Sequence, residues 1–199
     1  MNKMNIDNFH IDDLIKSFLK EDMPMGDITT DNLIDMKSTS EARLIAKEKG
    51  IVAGLDVARR VFEILDENVE FVKKVEDGML VQPGDAIAEI KGNTRALLKG
   101  ERTALNLIQR LSGVATKTNE LSEKIKELPA KIVDTRKTTP GLRALEKYAV
   151  RVGGGQNHRF CLSDGVLIKD NHIKAAGGIK KAVEIIRNRI PHTIKIEVE

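Results

Sequence analysis

The residues best suited to chemistry in this 199-residue sequence concentrate in its last third. Residues 134–137 (DTRK) and 169–172 (KDNH) each follow a short apolar run, and residues 153–159 (GGGQNHR) lie between them. Arg and Lys side chains that gather in one place favour an anionic ligand, because a guanidinium matches a carboxylate or phosphate through two parallel hydrogen bonds. The sequence therefore predicts a pocket for a ligand with several negative charges.

Two acids near the end of the sequence have the opposite character. Glu197 and Glu199 alternate with apolar residues, so a strand would place both on one face. Their oxygens suit magnesium, which commonly bridges a few protein carboxylates and the phosphates of a substrate. Together with the basic residues, they predict a polyanion that binds with magnesium.

Each of these features also has a purely structural interpretation. A single Arg or Lys is usually a solvated surface group, and Glu197 and Glu199 could simply face solvent on an edge strand. His158 could be a structural histidine, and we assign no function to His10 or His192. The glycines at 153–155 fit a helix C-cap and loop as well as a close approach to phosphate.

The elements that must position these residues alternate between strand and helix. Apolar runs predict strands, and spacings of three or four predict helices. This is a βαβαβ order, typical of parallel strands, whose carboxyl ends open onto shared loops. We therefore expect the polar clusters to converge. The predicted strands are 132–135, 165–169 and 193–199, and the predicted helices are 142–150 and 178–190.

The first half of the sequence predicts a separate α/β arrangement. Helical spacing continues from Asn93 until Pro129, with Gly113 as a point where two helices could separate. The fold class is therefore α/β, with an N-terminal domain over 1–106 and a second domain over 107–199. The other predicted elements are a helix from Ile6 to Leu19, a strand from Glu41 to Ala46, a helix from Leu55 to Leu65 and short strands within 69–91.

Composition excludes several other classes of protein. No apolar run approaches the roughly 20 residues of a membrane span, so we expect no membrane insertion. The lone Cys161 cannot form an intrachain disulfide, which is typical of a cytoplasmic protein. A net charge of +3 is dispersed among acids and lacks alternating aromatic residues, so we expect no nucleic-acid partner.

The segment from Asp134 to Ile173 closely resembles the signature of the quinolinate phosphoribosyltransferase family. Further similarity lies in EDMPMGDITT, KEKGIVAGLDVARRVF, GERTALNLIQRLSGVAT and the final IKIEVE, so the resemblance covers nearly the whole sequence. It implies that the N-terminal α/β domain precedes the first part of a parallel α/β barrel. It also implies a homodimer with shared active sites.

The resemblance further implies a reaction and a set of site residues. Family members transfer the phosphoribosyl group of phosphoribosyl pyrophosphate to quinolinate, with loss of CO2, to give nicotinate mononucleotide for NAD biosynthesis. Lys137 and Glu199 would be catalytic, and Glu199 would lie beside Mg2+ bound to the donor, with Glu197 as the alternative. The implied substrate-binding residues are Arg102 from the neighbouring subunit, Thr135, Arg136, Lys137, His158, Arg159, Lys169 and Glu199.

The sequence departs from the family in its length. The family continues beyond Glu199 with more barrel strands and a Gly-rich phosphate loop, and three βα steps cannot close a barrel. We therefore expect a truncation, and poor solubility or inactivity of this piece alone. Two alternatives are a homologue associated with molybdenum transport and an inactive dimerising fragment; the intact residues 135–137 and 158–159 favour quinolinate.

Overall fold

The structure, a computed structural model, describes residues 8–199, with side chains from Ile11 onward. Ile6 and the side chain of Phe9, both used to predict the first helix, lie outside this description. The helices are α1 (Asn8–Asp22), α2 (Ile28–Leu33), α3 (Leu55–Leu65), α4 (Thr94–Lys124), α5 (Arg143–Val152), α6 (Asp170–Ala176) and α7 (Ile179–Arg187). The strands are β1 (Thr39–Ile45), β2 (Gly50–Ile51), β3 (Glu70–Lys73), β4 (Leu80–Val81), β5 (Ala86–Asn93), β6 (Val166–Ile168) and β7 (Ile196–Val198).

The chain forms two compact units. Unit 1 comprises Met1–Asp134 and Thr138–Gln156, and unit 2 comprises Thr135–Lys137 and Asn157–Glu199. Helices and strands mix in both, which confirms the predicted α/β class. In the part of the chain that the structure describes, no helix is long and apolar enough to cross a membrane.

An antiparallel sheet in the order β1-β5-β3 forms one layer of unit 1. Leu44 pairs with Ala88 and Phe71 with Ile90, so apolar residues from neighbouring strands share a face. Helices α3 and α4 add to the core through Leu55, Val61 and Leu111, each almost fully buried, and α1 and α5 contribute further buried residues. Burying each such side chain stabilises the fold by about 1.5–3 kcal/mol. The predicted helix over 55–65 is confirmed, and the predicted strand at 41–46 is shifted slightly to 39–45.

Helix α4 corrects two details of the sequence prediction. It continues through Gly113, because Leu111 and Ala115 on either side are buried on the core-facing side. That packing offsets the roughly 1 kcal/mol that a helical glycine costs relative to alanine. The helix also ends at Lys124, several residues before Pro129. At its start, the side chain of Asn93 accepts hydrogen bonds from two free backbone N–H groups.

Helix α5 packs against α4 so closely that only glycine fits at its end. A Cβ on Gly153 would lie 2.3 Å from the carbonyl oxygen of Ala115 and 2.7 Å from Cβ of Thr118. Gly153 is the C-cap of α5, and Gly154 adopts a φ of +91°, which favours glycine. The glycines therefore have the cap and packing role, and their proposed approach to phosphate stays a prediction.

The strand predicted at 132–135 is not formed, which corrects the sequence analysis. Val133 makes only an isolated parallel bridge with Gln156. Two backbone bonds hold it, from the N–H of Asp134 to the carbonyl of Gln156 and from the N–H of Gln156 to that of Ile132. The bridge does not extend into a ladder on either side, so the extended backbone does not become a strand.

Unit 2 contains the predicted parallel pair. Strand β6 pairs in parallel with β7, with Leu167 opposite Glu197. Helices α6 and α7 connect these strands, and α7 buries Ala182 while its charged residues face solvent. This confirms the predicted parallel strand pair and its connecting helix, although the predicted helix over 178–190 is shorter as α7 and the additional helix α6 was not predicted.

Candidate active site

One ion pair and one histidine–carboxylate contact bring the predicted basic residues and acids of unit 2 together. Lys169, which follows β6, pairs with Glu199, which follows β7. His158 Nε2 lies 3.3 Å from a carboxylate oxygen of Glu197. Because β6 and β7 are parallel and in register, their carboxyl ends place Lys169 and Glu199 at the same edge, while Glu197 lies within β7 and His158 precedes β6. The expected convergence is therefore observed for these four residues.

The electrostatics of the two acids keep them ionised. The hydrogen bond from Lys169 lowers the pKa of Glu199 below its usual range, and the nearby charge of Lys137 lowers it further. The hydrogen bond from His158 likewise lowers the pKa of Glu197, with help from Lys195. Both acids are substantially exposed, so these pairs contribute little to stability. Their effect is on the charge of the site.

The remaining basic residues of unit 2 are held in different ways. Arg159 donates through Nη1 to the carbonyl of Gly165 at 2.9 Å, which leaves its other nitrogens for further partners. The hydroxyl of Thr135 accepts the backbone N–H of Lys137 at 3.0 Å, so the segment turns there. Among the described residues, Arg136 Nε is buried and has no hydrogen-bond partner. A buried unpaired donor is costly, and a ligand oxygen would satisfy it.

His172 makes a hydrogen bond with the backbone of Lys169. The backbone N–H of Lys169 donates to His172 Nδ1 at 3.0 Å, which satisfies a free group at the start of α6. The sequence analysis placed His172 in a polar cluster without assigning it a role. The structure shows a local capping contact.

Arg102 lies in unit 1, on α4, and is exposed to solvent. It follows the start of the helix by two turns rather than standing at it. Its contact with the active site of a neighbouring subunit stays a prediction.

Sequence reasoning missed the buried charges of α5. Glu146 and Lys147 are both buried, as are their sequence neighbours Leu145, Tyr148 and Ala149. A signal was available, since adjacent opposite charges within an otherwise apolar helical stretch are rarely buried unless they are paired. Glu146 is paired with Arg110 of α4 and with Thr139, and Lys147 is paired with Asp134.

Few carboxylates are placed where they could bind a metal ion in the candidate site. No group of three or more His, Cys, Asp or Glu residues in positions 8–199 is arranged to hold a metal ion. Glu197, within β7, and Glu199, which follows it, are the two acids predicted as oxygen ligands. Such a pair fits magnesium only where water and substrate phosphates complete the coordination, which is its common mode in proteins.

Known protein families and solved structures show which family the chain belongs to. Family models for the N-terminal and C-terminal domains of quinolinate phosphoribosyl transferase match residues 27–112 and 114–199. A crystal structure of NadC from Streptococcus pyogenes is 45% identical, covers 98% of this chain and 69% of that chain, and superimposes with a TM-score of 0.93. The chain belongs to the quinolinate phosphoribosyltransferase family.

Other family members show the same similarity. The nicotinate-nucleotide pyrophosphorylase structure from Francisella tularensis is 42% identical over 100% of this chain and 70% of that chain, with a TM-score of 0.92. A probable nicotinate-nucleotide pyrophosphorylase (carboxylating) from Bacillus subtilis is 50% identical over 94% of this chain. The chain spans 64% of the length of that relative, and of the Synechocystis relative that is 48% identical.

Proposed function

We propose that this chain belongs to an enzyme that transfers the phosphoribosyl group of phosphoribosyl pyrophosphate to quinolinate. The products are nicotinate mononucleotide, pyrophosphate and CO2, as part of NAD biosynthesis. The observation that carries the proposal is the joint presence, in unit 2, of a basic cluster and two ionised acids, Glu197 within β7 and Glu199 directly after it. The names of the relatives from Bacillus subtilis and Synechocystis support the same reaction.

The basic cluster suits the two carboxylates of quinolinate. Arg136 has a buried Nε that none of the described residues accepts from, and Arg159 has guanidinium nitrogens beyond the one bound to Gly165. Guanidinium groups bind carboxylates through paired, charge-assisted hydrogen bonds, which fix orientation as well as adding affinity. Thr135, Lys137, His158 and Lys169 complete the proposed quinolinate site.

Positioning is the main contribution of these residues to the reaction. Holding the pyridine nitrogen against the anomeric carbon of the donor converts a bimolecular step into an oriented one. The ring nitrogen forms the new bond to carbon while pyrophosphate leaves with the electrons of the old C–O bond. The carboxylate of Glu199 stabilises the positive charge that develops on the ribose. Lys137 neutralises negative charge on the reacting groups.

Loss of CO2 follows from the charge on the new pyridinium. Once its nitrogen is positive, the ring accepts the electron pair released when the adjacent carboxylate leaves. A proton then replaces the carboxylate on that carbon, which gives the nicotinate ring. The protein needs only to keep the other carboxylate bound during this step, which the Arg residues of the cluster would do.

Magnesium and a second subunit form part of the proposal. Glu199, with Glu197 as the alternative, would hold the ion together with donor phosphates, and the ion would stabilise the departing pyrophosphate. In a homodimer, the exposed Arg102 of one subunit would reach the quinolinate site of the other. The lone, partly buried Cys161 is in keeping with a cytoplasmic protein.

The test is an assay for nicotinate mononucleotide with quinolinate, phosphoribosyl pyrophosphate and magnesium. Two proteins are compared: the chain itself, and a fusion in which the residues of the Bacillus subtilis relative beyond the match follow Glu199. We expect product from the fusion, and a loss of at least about a hundredfold in kcat/KM in its Lys169→Ala variant. A folded fusion that makes no product would contradict the proposal.

A further inference from the structure

One helix contacts the chain on both sides of the short segment Thr135–Lys137. Glu146 and Lys147, neighbours on α5, are 7% and 3% exposed. Consecutive helix positions are about 100° apart, so the two side chains leave the helix in different directions. Each therefore reaches a different part of the chain.

Lys147 fixes the residue that precedes the segment. Its Nζ lies 2.5 Å from a carboxylate oxygen of Asp134, and both side chains are buried. The backbone N–H of Asp134 also donates to the carbonyl of Gln156 at 3.1 Å. Asp134 is thus held by its side chain and by its backbone, and breaking a buried ion pair of this kind is strongly destabilising.

Glu146 fixes the residues that follow the segment. Its carboxylate accepts the backbone N–H of Thr139 at 3.0 Å and the hydroxyl of Thr139 at 2.7 Å. Arg110 of α4 donates to the same carboxylate, with its nearer nitrogen at 2.8 Å. On the same helix, Arg143 donates to the hydroxyl of Thr138 at 3.1 Å.

The charge on Glu146 is maintained by these bonds. Burial on its own would raise the pKa of Glu146, but the hydrogen bonds from Arg110 and Thr139 outweigh burial and lower the pKa below its usual range. The carboxylate is therefore ionised at neutral pH and accepts from all of its donors. Charge-assisted bonds of this kind are roughly twice as strong as neutral ones.

We propose that Glu146 and Lys147 are positioning residues that fix both ends of the segment Thr135–Lys137 and thereby set the placement of Arg136 and Lys137 for substrate binding. The three-residue segment has little freedom once Asp134 and Thr139 are held. A site whose basic side chains are fixed in advance binds its anion without first ordering the chain. The substrate part of this inference rests on the function proposed above.

Limited trypsin digestion tests the positioning without relying on activity. Trypsin cuts after Arg136 and Lys137, and cutting of a closed segment follows the fraction of time that it opens. In Glu146→Gln, one acceptor oxygen becomes a donor that faces Thr139 or Arg110, so we expect cleavage at these two bonds to accelerate by about tenfold or more. An unchanged cleavage rate would overturn the proposal.

A matched control separates this effect from general destabilisation. Asp12→Asn removes the charge of Asp12 and one of the two hydrogen bonds, both 2.7 Å long, that join α1 to Arg60 on α3. It should lower the melting temperature without accelerating cleavage after Arg136 or Lys137. Tyr148, the only tyrosine in a chain without tryptophan, reports the packing of α5 through its fluorescence. That signal should stay unchanged in Glu146→Gln; equal acceleration in Asp12→Asn would contradict the proposal.

Kinetics of the fusion protein link the segment to substrate. We expect Glu146→Gln and Lys147→Met to raise KM for quinolinate by about tenfold or more, with a smaller change in KM for phosphoribosyl pyrophosphate. Lys147→Arg keeps the charge and should recover most of the loss. If the wild-type fusion makes no product while Glu146→Gln still opens the segment, the proposed function fails and the positioning stands. Active variants with normal KM for quinolinate would overturn the positioning role.

Discussion

Replacing Gly153 by alanine should destabilise unit 1 strongly, although the change adds a single methyl group. The added Cβ would lie 2.3 Å from the carbonyl oxygen of Ala115 and 2.7 Å from Cβ of Thr118. Carbon atoms in good contact lie about 3.5–4.0 Å apart. The clash is with backbone on one side, so α5 would have to move away from α4 by about 1 Å.

The magnitude follows from what that movement disrupts. Overpacking typically costs about 1–3 kcal/mol, and contact with backbone leaves little room for relief, so we expect about 3 kcal/mol. For a protein of this size the melting temperature would fall by roughly 10 °C. Gly113→Ala is the matched control, because its Cβ would meet nothing within 4 Å and α4 is helical there. That change should stabilise the protein by about 0.5–1 kcal/mol.

Urea unfolding followed by circular dichroism measures both variants against the wild type. We expect the free energy of unfolding to be highest for Gly113→Ala, intermediate for the wild type and lowest for Gly153→Ala. A Gly153→Ala protein as stable as the wild type would refute the close packing of α5 on α4. It would also reopen the alternative that the glycine run serves mainly to approach a phosphate.

Three further predictions concern a buried hydroxyl, pH and substrate affinity. Tyr148→Phe removes the 2.6 Å hydrogen bond to Asp77 and should cost about 2 kcal/mol, measured by urea unfolding. The pKa of Glu146 is lower in the folded protein than its unfolded value near 4.5. The ionised carboxylate therefore stabilises the fold fully above pH 4.5, and this stabilisation is lost as the pH falls through the folded pKa. In Glu146→Gln, the free energy of unfolding should therefore decrease less steeply as the pH is lowered in this acid range. Arg159→Ala and Lys169→Ala should raise KM for quinolinate, and normal quinolinate use by both would show that the site is misassigned.

Periodicity predicted the fold well where one face of an element is buried. Helix α3 begins and ends as predicted, and β6 and β7 form the expected parallel pair. The break proposed at Gly113 was wrong because tertiary packing on the side of Leu111 and Ala115 overrides a weak local preference. The strand predicted at 132–135 failed because strand formation depends on a neighbouring partner, which the pattern of one segment does not contain.

The candidate site was predictable in its charges but not in its support. The types of residue at 135–137, 158–159 and 169 pointed to an anion, and the structure pairs two of these cations with Glu197 and Glu199. The buried partners Glu146 and Lys147 were missed because a charged residue on a helix is usually solvated. Only three-dimensional contacts show that they hold Thr139 and Asp134.

The most direct test of the proposed function follows both products of the reaction at once. The fusion protein is incubated with phosphoribosyl pyrophosphate, magnesium and quinolinate that carries an isotopic label in the carboxylate next to the ring nitrogen. Our account predicts labelled CO2 and nicotinate mononucleotide in equal amounts, and formation of both about a hundredfold slower after Lys169→Ala at the same subsaturating substrate concentrations. Phosphoribosyl transfer without release of labelled CO2, or no transfer by a folded fusion protein, would contradict it.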